Sequence, residues 1–375
     1  MFAVVRDWVR MSDGRDWLVY AIDTGSNWSL RCVETFPSGK VADEAEELAS
    51  GSGQIGGNSR LSEDGKLIYN TLVLGGTIYQ IPINSRGEKS GSADRLPLPE
   101  ELNCHSPAIS RDGFWMMHTQ SNPGEPNRCL LRDMRNGSER LLHDNVSGIG
   151  SETNAISPDG SMFIVGRTDA QGERLDAFLA AAGGIESTKL CERCAIRGIS
   201  SNNSVVLAEK YALPGEGEDK IVALNLSSKT GTDAIRDSGH PVYEAFFSPD
   251  DHWVAFERRL LGASQIFVAP FQNGKALGPD KWIPVTDGRY SDTKPRFTPG
   301  GNAIYFLSSR DSHTCVWIQK LNPKNKRPIG EPIPFEHFHA NSFDFFRQNH
   351  TYLSVAKDKL IVGMSHLTSD LWINR

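Results

Sequence analysis

Apolar residues in this chain gather in short runs separated by turns of Asp, Gly, Pro and Ser, and the pattern recurs in blocks of nearly constant length. The sixth block shows the plan. Tyr243 to Phe247 reads as a first strand, Ser248-Pro249-Asp250-Asp251 as a turn, and Trp253 to Glu257 as a second strand. Gln265 to Pro270 follows as a third and Lys281 to Thr286 as a fourth. β-Branched and aromatic side chains fill these runs, as strands require. In the turn, proline presets φ and the Asp side chain bonds its own backbone. Pro284 suits the fourth strand, because an outer edge strand tolerates one missing donor. The seventh block repeats the plan at Ala303 to Leu307 and Cys315 to Gln319.

The turn between first and second strands marks each repeat. It reads Met11-Ser12-Asp13-Gly14, Leu61-Ser62-Glu63-Asp64-Gly65, Ile109-Ser110-Arg111-Asp112-Gly113 and Ile156-Ser157-Pro158-Asp159-Gly160. Degenerate copies follow at Ile199-Ser200-Ser201-Asn202-Asn203, at Phe247-Ser248-Pro249-Asp250-Asp251 and at Phe297-Thr298-Pro299-Gly300-Gly301. An eighth copy near Val355-Ala356-Lys357-Asp358 keeps only the strand after it, Lys359 to Met364. The first seven anchors, at 12, 62, 110, 157, 200, 248 and 298, lie 43 to 50 residues apart, and the eighth is near 355. A period of roughly 40–50 residues is that of a four-stranded propeller blade. The expectation is therefore an all-β chain, a single β-propeller domain over 1–375 with eight blades; seven is the alternative. Leu371 to Arg375 reads as a third strand with no fourth after it. A ring must close to remove its edges, so Phe2 to Val5 is expected to supply the missing outer strand of the last blade. Ala42 to Ala49 reads as one helical turn or an acidic loop. Arg174 to Ala182 is Ala-rich but falls where a third strand belongs.

The Ser-Pro-Asp-Gly turn, the apolar strand after it and a later Ile-Phe or Trp-Ile strand resemble the TolB-like repeat, also called the WD40-like or PD40 repeat. The best match runs from Lys294 to Asp311, followed by Cys315-Val316-Trp317-Ile318. The resemblance covers nearly the whole chain and weakens in the fifth and eighth repeats, where the Asp-Gly turn is lost. The Gly-His and Trp-Asp signatures of true WD40 repeats do not recur along the chain. The resemblance implies a fold more than a function: bacterial propellers of this type serve as periplasmic scaffolds, as gating domains of peptidases and as sensor halves of larger proteins.

The formal charge of −6 and the lack of a basic stripe set nucleic acid aside as a partner. No apolar run approaches the roughly 18 residues of a membrane span, so membrane insertion is not expected. The first residues lack a basic segment followed by an apolar one, which reads as cytoplasmic, or as periplasmic if the chain is a fragment. Six cysteines include a lone Cys191-Glu-Arg-Cys194. A structural zinc site usually needs two such pairs, so the pair is read as two small residues in a strand-to-loop segment rather than as a redox pair or half a metal site. No cofactor is expected.

In a propeller, the loops that enter the innermost strands and those between second and third strands share one face. Counting back four to six residues from each anchor, and taking the second-to-third loops, places His105, Glu152, Glu244, Asp292, Lys294, Arg310, Asp311 and His350 on that face. Loops on a rigid scaffold are where binding concentrates, and a rim of mixed charge suits a protein, peptide or glycan partner. No nucleophile elbow, His-Glu-x-x-His or phosphate loop is present. His337 and His339 fall on one side of a strand and are candidate metal ligands, together with His105 or His350. The primary expectation is a non-catalytic binding or scaffold propeller, alone or as the sensor half of a larger protein. The alternative is a metal-dependent lyase or hydrolase acting on a glycan or peptide.

Overall fold

The structure is a computed structural model of the chain, and the description covers all residues except 1, 24–26, 53, 100–102, 123–124, 147–153, 169–174, 181–186, 214, 216, 339–350 and 375. Among the described residues every regular element is a β-strand, apart from one 3₁₀ turn at Pro279–Lys281. The helical turn considered at Ala42 to Ala49 is not formed. Glu46–Ser52 is a strand paired with Asn27–Thr35; a single turn gains too few hydrogen bonds to offset its nucleation. The Ala-rich segment does hold a third strand, Leu175–Ala180.

The chain forms two compact units. One comprises Met1–Gly75, Ser121–Pro126 and Leu367–Arg375; the other comprises Gly76–Gln120 and Asn127–His366. In the first unit, Phe2–Arg10, Asp16–Asp23, Asn27–Thr35 and Glu46–Ser52 make a four-stranded antiparallel sheet in chain order. Its buried Val19, Leu30 and Trp28 pack with Ile55, Leu61, Leu67 and Tyr69 of the next hairpin.

The second unit holds five sheets whose strands follow one another in chain order. They begin at Asn103–Ile109, Ala155–Ile156, Cys194–Ile199, Val242–Phe247 and Thr293–Phe297. A sixth sheet joins the two ends of the unit. Tyr352–Val355 pairs with Lys359–Asn374, which neighbours Leu67–Pro82, and Asp94–Arg95 flanks residues 79–80 of that strand. This corrects the expected closure. Phe2–Arg10 is the edge of its own sheet, and the strand beside Lys359–Asn374 is Leu67–Pro82. Burial explains the choice: Ile78, Ile81 and Ile83 are 1%, 0% and 4% exposed, whereas Val4 and Val5 are 47% and 62% exposed. Each buried aliphatic side chain contributes about 1.5–3 kcal/mol. Among the described residues the strands fall into seven sheets.

The six first strands of the second unit touch in cyclic order, from Asn103–Ile109 through Ala155–Ile156, Cys194–Ile199, Val242–Phe247, Thr293–Phe297 and Tyr352–Val355 back to Asn103–Ile109. The apolar clusters follow the same order. Phe163 and Val165 pack with Met117, Leu131 and Ile156; Ile164 packs with Ile196 and Val206. Leu207 packs with Val254 and Phe256, and Val268 with Ile304 and Phe306. Tyr305 and Leu307 pack with Ile81, Leu360 and Val362, and Ile78 and Ile361 with Ile109 and Met116.

All eight anchor turns connect consecutive strands, and the anchor serine is structural. The buried Ser157 hydroxyl donates to Asp159 at 2.6 Å and accepts from the Met162 N–H at 2.8 Å. Ser110 does the same with Asp112 and the Trp115 N–H. The fourth residue of the turn is left-handed: Gly113 and Gly160 have φ of 80° and 70°. In the degenerate copies Asn203 and Asp251 take that conformation at 56° and 59°. Asn and Asp tolerate it better than other side chains, which is why those turns survive without glycine.

Candidate functional site

The six first strands of the second unit surround a cavity of about 240 Å³. Its lining runs from Ser106 through Asn154, Arg197 and Phe246 to Arg296 and Tyr352, and reaches the anchor turns at Arg111, Pro158, Pro249, Pro299 and Lys357. Four described lining residues carry a formal charge, Arg111, Arg197, Arg296 and Lys357, and all four are cationic. Three of the strands are irregular in the same region. Pairing slips between Ile196 and Gly198, between Tyr243 and Phe246, and between Thr293 and Arg296. Within the last two slips Glu244 and Lys294 have φ of 54° and 55°. Ser106, also four residues before its anchor, has φ of 54°. A left-handed non-glycine residue costs on the order of 1–3 kcal/mol, and such strain gathers at functional sites.

The bulges assemble a buried network of charges. Arg296 donates to the Glu244 carboxylate at 3.0 Å, and its Nε donates to the Leu353 carbonyl at 2.8 Å. Arg197 donates to Glu209 at 2.7 Å and lies 3.5 Å from Glu244. Lys294 lies 3.8 Å from Glu244 and over the Tyr352 ring. Burial works to raise the Glu244 pKa, but Arg197, Lys294 and Arg296 together outweigh it and hold the carboxyl well below its ordinary range. Glu257 goes the other way. Burial pushes it up to about 7, against Arg259 at 3.5 Å and with Glu244 and Glu209 adding repulsion. Arg197, Lys294 and Arg296 thus face the ionised Glu244, with Glu209 hydrogen-bonded to Arg197 and with Glu257 held partly protonated near neutrality by burial.

No family model matches the sequence, and no curated protein matches it. Solved structures do. A TolB candidate from Agrobacterium tumefaciens is 16% identical over 80% of this chain and 99% of its own, with a TM-score of 0.57. TolB from Acinetobacter baumannii is 9% identical over 94% of this chain and 81% of its own, with a TM-score of 0.51. The chain has a TolB-like β-propeller fold.

In this TolB-like propeller the residues singled out from sequence fall into separate groups. Glu244 and Lys294 join the network beside the cavity. His105 is buried, with Nδ1 2.8 Å from the Ser106 hydroxyl. Asp292 is fully buried and accepts from Arg310 at 2.9 Å, while the Arg310 guanidinium lies over the rings of Tyr290, Phe306 and Trp317. Asp311 pairs with His337 at 3.0 Å. His337 Nδ1 also lies 3.2 Å from the Cys315 sulfur, so its neighbours are Asp311 and Cys315 rather than His105. Glu152, His339 and His350 lie outside the described residues.

Arg197 and Arg296 were missed, although Arg197 is a lone arginine inside an otherwise apolar first strand, Cys194–Ile199, and Arg296 stands two residues after Lys294 in Thr293–Phe297. Glu209 and Glu257 were missed as well. Each stands nine residues after its anchor serine in a second strand, Val205–Lys210 and Trp253–Leu260. Cys191 and Cys194 form a disulfide with Cα atoms 6.1 Å apart. It ties the outer strand Ser187–Cys191 to the next first strand, Cys194–Ile199. Among the described residues no helix is long and apolar enough to cross a membrane.

Proposed function

We propose that the second unit closes as a six-bladed propeller and that its cavity is a non-catalytic recognition site for an acidic segment of a protein or peptide. The single observation that carries this reading is the charge of the lining: Arg111, Arg197, Arg296 and Lys357, with no Asp or Glu among the described lining residues. A cleft lined by one sign of charge focuses its field and draws in the opposite sign. The volume supports a small contact. About 240 Å³ falls below the 300–1,000 Å³ of pockets that enclose a whole small-molecule ligand, and it suits one or two side chains or a chain terminus. The described lining also contains no His or Cys, which favours binding over the acid–base or nucleophilic chemistry of the enzymatic alternative.

The experiment is equilibrium binding of the full chain to fluorescent peptides of matched length, acidic, neutral and basic, at low and physiological salt. The reading expects acidic peptides to bind at least tenfold more tightly than basic ones, with affinity falling as salt rises. Equal binding of acidic and basic peptides, or none of either, would overturn it.

A further inference from the structure

We propose that Asp311, Cys315 and His337 form a site for one borderline-soft divalent cation, Zn²⁺ foremost, with a fourth coordination position open to solvent. The site stands apart from the cavity lining. Asp311 lies in the hairpin loop between Ala303–Ser308 and Cys315–Lys320, and Cys315 is the first residue of the latter strand. His337 follows directly on Ile333–Glu336, which pairs with Cys315–Lys320 through Val316 and Glu336. Strand register therefore brings the imidazole over the cysteine.

Two potential ligands converge on one ring nitrogen. His337 Nδ1 is 3.0 Å from the Asp311 carboxylate and 3.2 Å from the Cys315 sulfur. One donor atom from each residue lies within 4.8 Å of the other two. A tetrahedral zinc with bonds of about 2.0–2.3 Å spaces its ligand atoms roughly 3.3–3.7 Å apart. Opening the cluster by a few tenths of an ångström accommodates the ion.

The same geometry argues against a cysteine nucleophile. A Cys–His–Asp relay needs the acid on the ring nitrogen opposite the one facing the sulfur; here both meet Nδ1. Thiolate and imidazole donors select zinc-like ions over Mg²⁺ and Ca²⁺, which prefer shells of oxygen. The Asp311 and His337 side chains are 26% and 40% exposed while Cys315 is buried, so the ion enters from the carboxylate–imidazole side. On binding, the thiol proton leaves to solvent and the sulfur binds as thiolate.

The test uses the full chain with its Cys191–Cys194 disulfide kept oxidised. Co²⁺ is added and followed by absorption, then displaced with Zn²⁺. One equivalent of Co²⁺ giving a thiolate-to-cobalt charge-transfer band is expected. Cys315→Ser and His337→Ala are expected to weaken binding at least about tenfold. His337 is partly exposed, so His337→Ala and Asp311→Asn serve if Cys315→Ser fails to fold. Absence of the band in the native chain, or the band at full affinity in His337→Ala, would overturn the site; the second result would move it to the other buried cysteines, Cys32, Cys104 and Cys129.

Discussion

The Arg296 guanidinium and the Glu244 carboxylate meet at 3.0 Å between neighbouring first strands, each nearly closed off from water. Arg296 also lies 3.3 Å from the Phe246 ring centroid. The pair binds two bulged strands at the edge of the cavity, so its energetics bear on stability as well as recognition. Removing one partner of a buried pair leaves an uncompensated charge and costs about 3–5 kcal/mol. Arg197 and Lys294 still face Glu244 after Arg296→Met, so a loss near about 3 kcal/mol is expected in urea unfolding. Adding Glu244→Met is expected to deepen the loss, because Arg197 and Lys294 then lack that carboxylate.

Glu257 sets a pH dependence. Its folded pKa of about 7 lies above its ordinary 4.5, so the folded state holds the proton more tightly. The stability linked to that proton is fully present below about pH 4.5 and is lost as pH rises toward about 7. Thermal melts from pH 4.5 to 7.5 are expected to show the native chain losing about 2–3 kcal/mol relative to Glu257→Gln. Glu244 acts in the opposite sense: its lowered pKa contributes stability at neutral pH that is lost as the solution is made strongly acidic.

Gly160 combines a φ of 70° with a ring against it. A Cβ there would sit 2.6 Å from Trp115 Cδ1. Gly160→Ala is expected to destabilise by about 2 kcal/mol, since left-handed strain of about 1–2 kcal/mol adds to the clash. Denaturant unfolding reads it. Gly14, with φ of 85° and nothing within 4 Å, shows the conformational part alone and is expected to lose less on substitution by Ala.

In the proposed six-bladed ring, the strand that holds 76–82, rather than the N-terminal strand, takes the closing position beside Lys359–Asn374. Ile81→Ala removes a fully buried side chain packed among Tyr305, Leu360 and Val362 and is expected to cost about 2–5 kcal/mol. Val5→Ala, at an exposed position, is expected to stay within about 0.5 kcal/mol. Comparable losses in both variants would return the closing role to the N-terminus.

The strand class, the repeat length and the turn positions were legible because each is written locally. Serine, Asp and Gly at fixed offsets satisfy one turn's backbone, and Asn203 and Asp251 keep that geometry where glycine is lost. The partner of Lys359–Asn374 was not legible. Pairing between segments nearly 300 residues apart leaves no periodic trace, and Phe2 to Val5 looked as strand-like as 76–83. Around the cavity, counting back from the anchors reached Glu244 and Lys294 but passed over Arg197 and Arg296. Each bulge inserts an extra residue, so the alternation that predicts which side chains face inward breaks where the site begins. His337 looked like one of a histidine pair; the structure instead sets it against Asp311 and Cys315, neighbours that only strand register reveals.

The most direct test of the cavity as a recognition site reverses charge at its rim, where folding is least at risk. Lys357 is exposed and Arg111 partly so, and both belong to the lining. Binding of an acidic peptide would be measured by calorimetry for the native chain and for Lys357→Glu combined with Arg111→Glu, with thermal melts as the control. A loss of at least about tenfold in affinity, with melting little changed, is the expected result. Unchanged affinity in a folded double variant would contradict a site in the cavity.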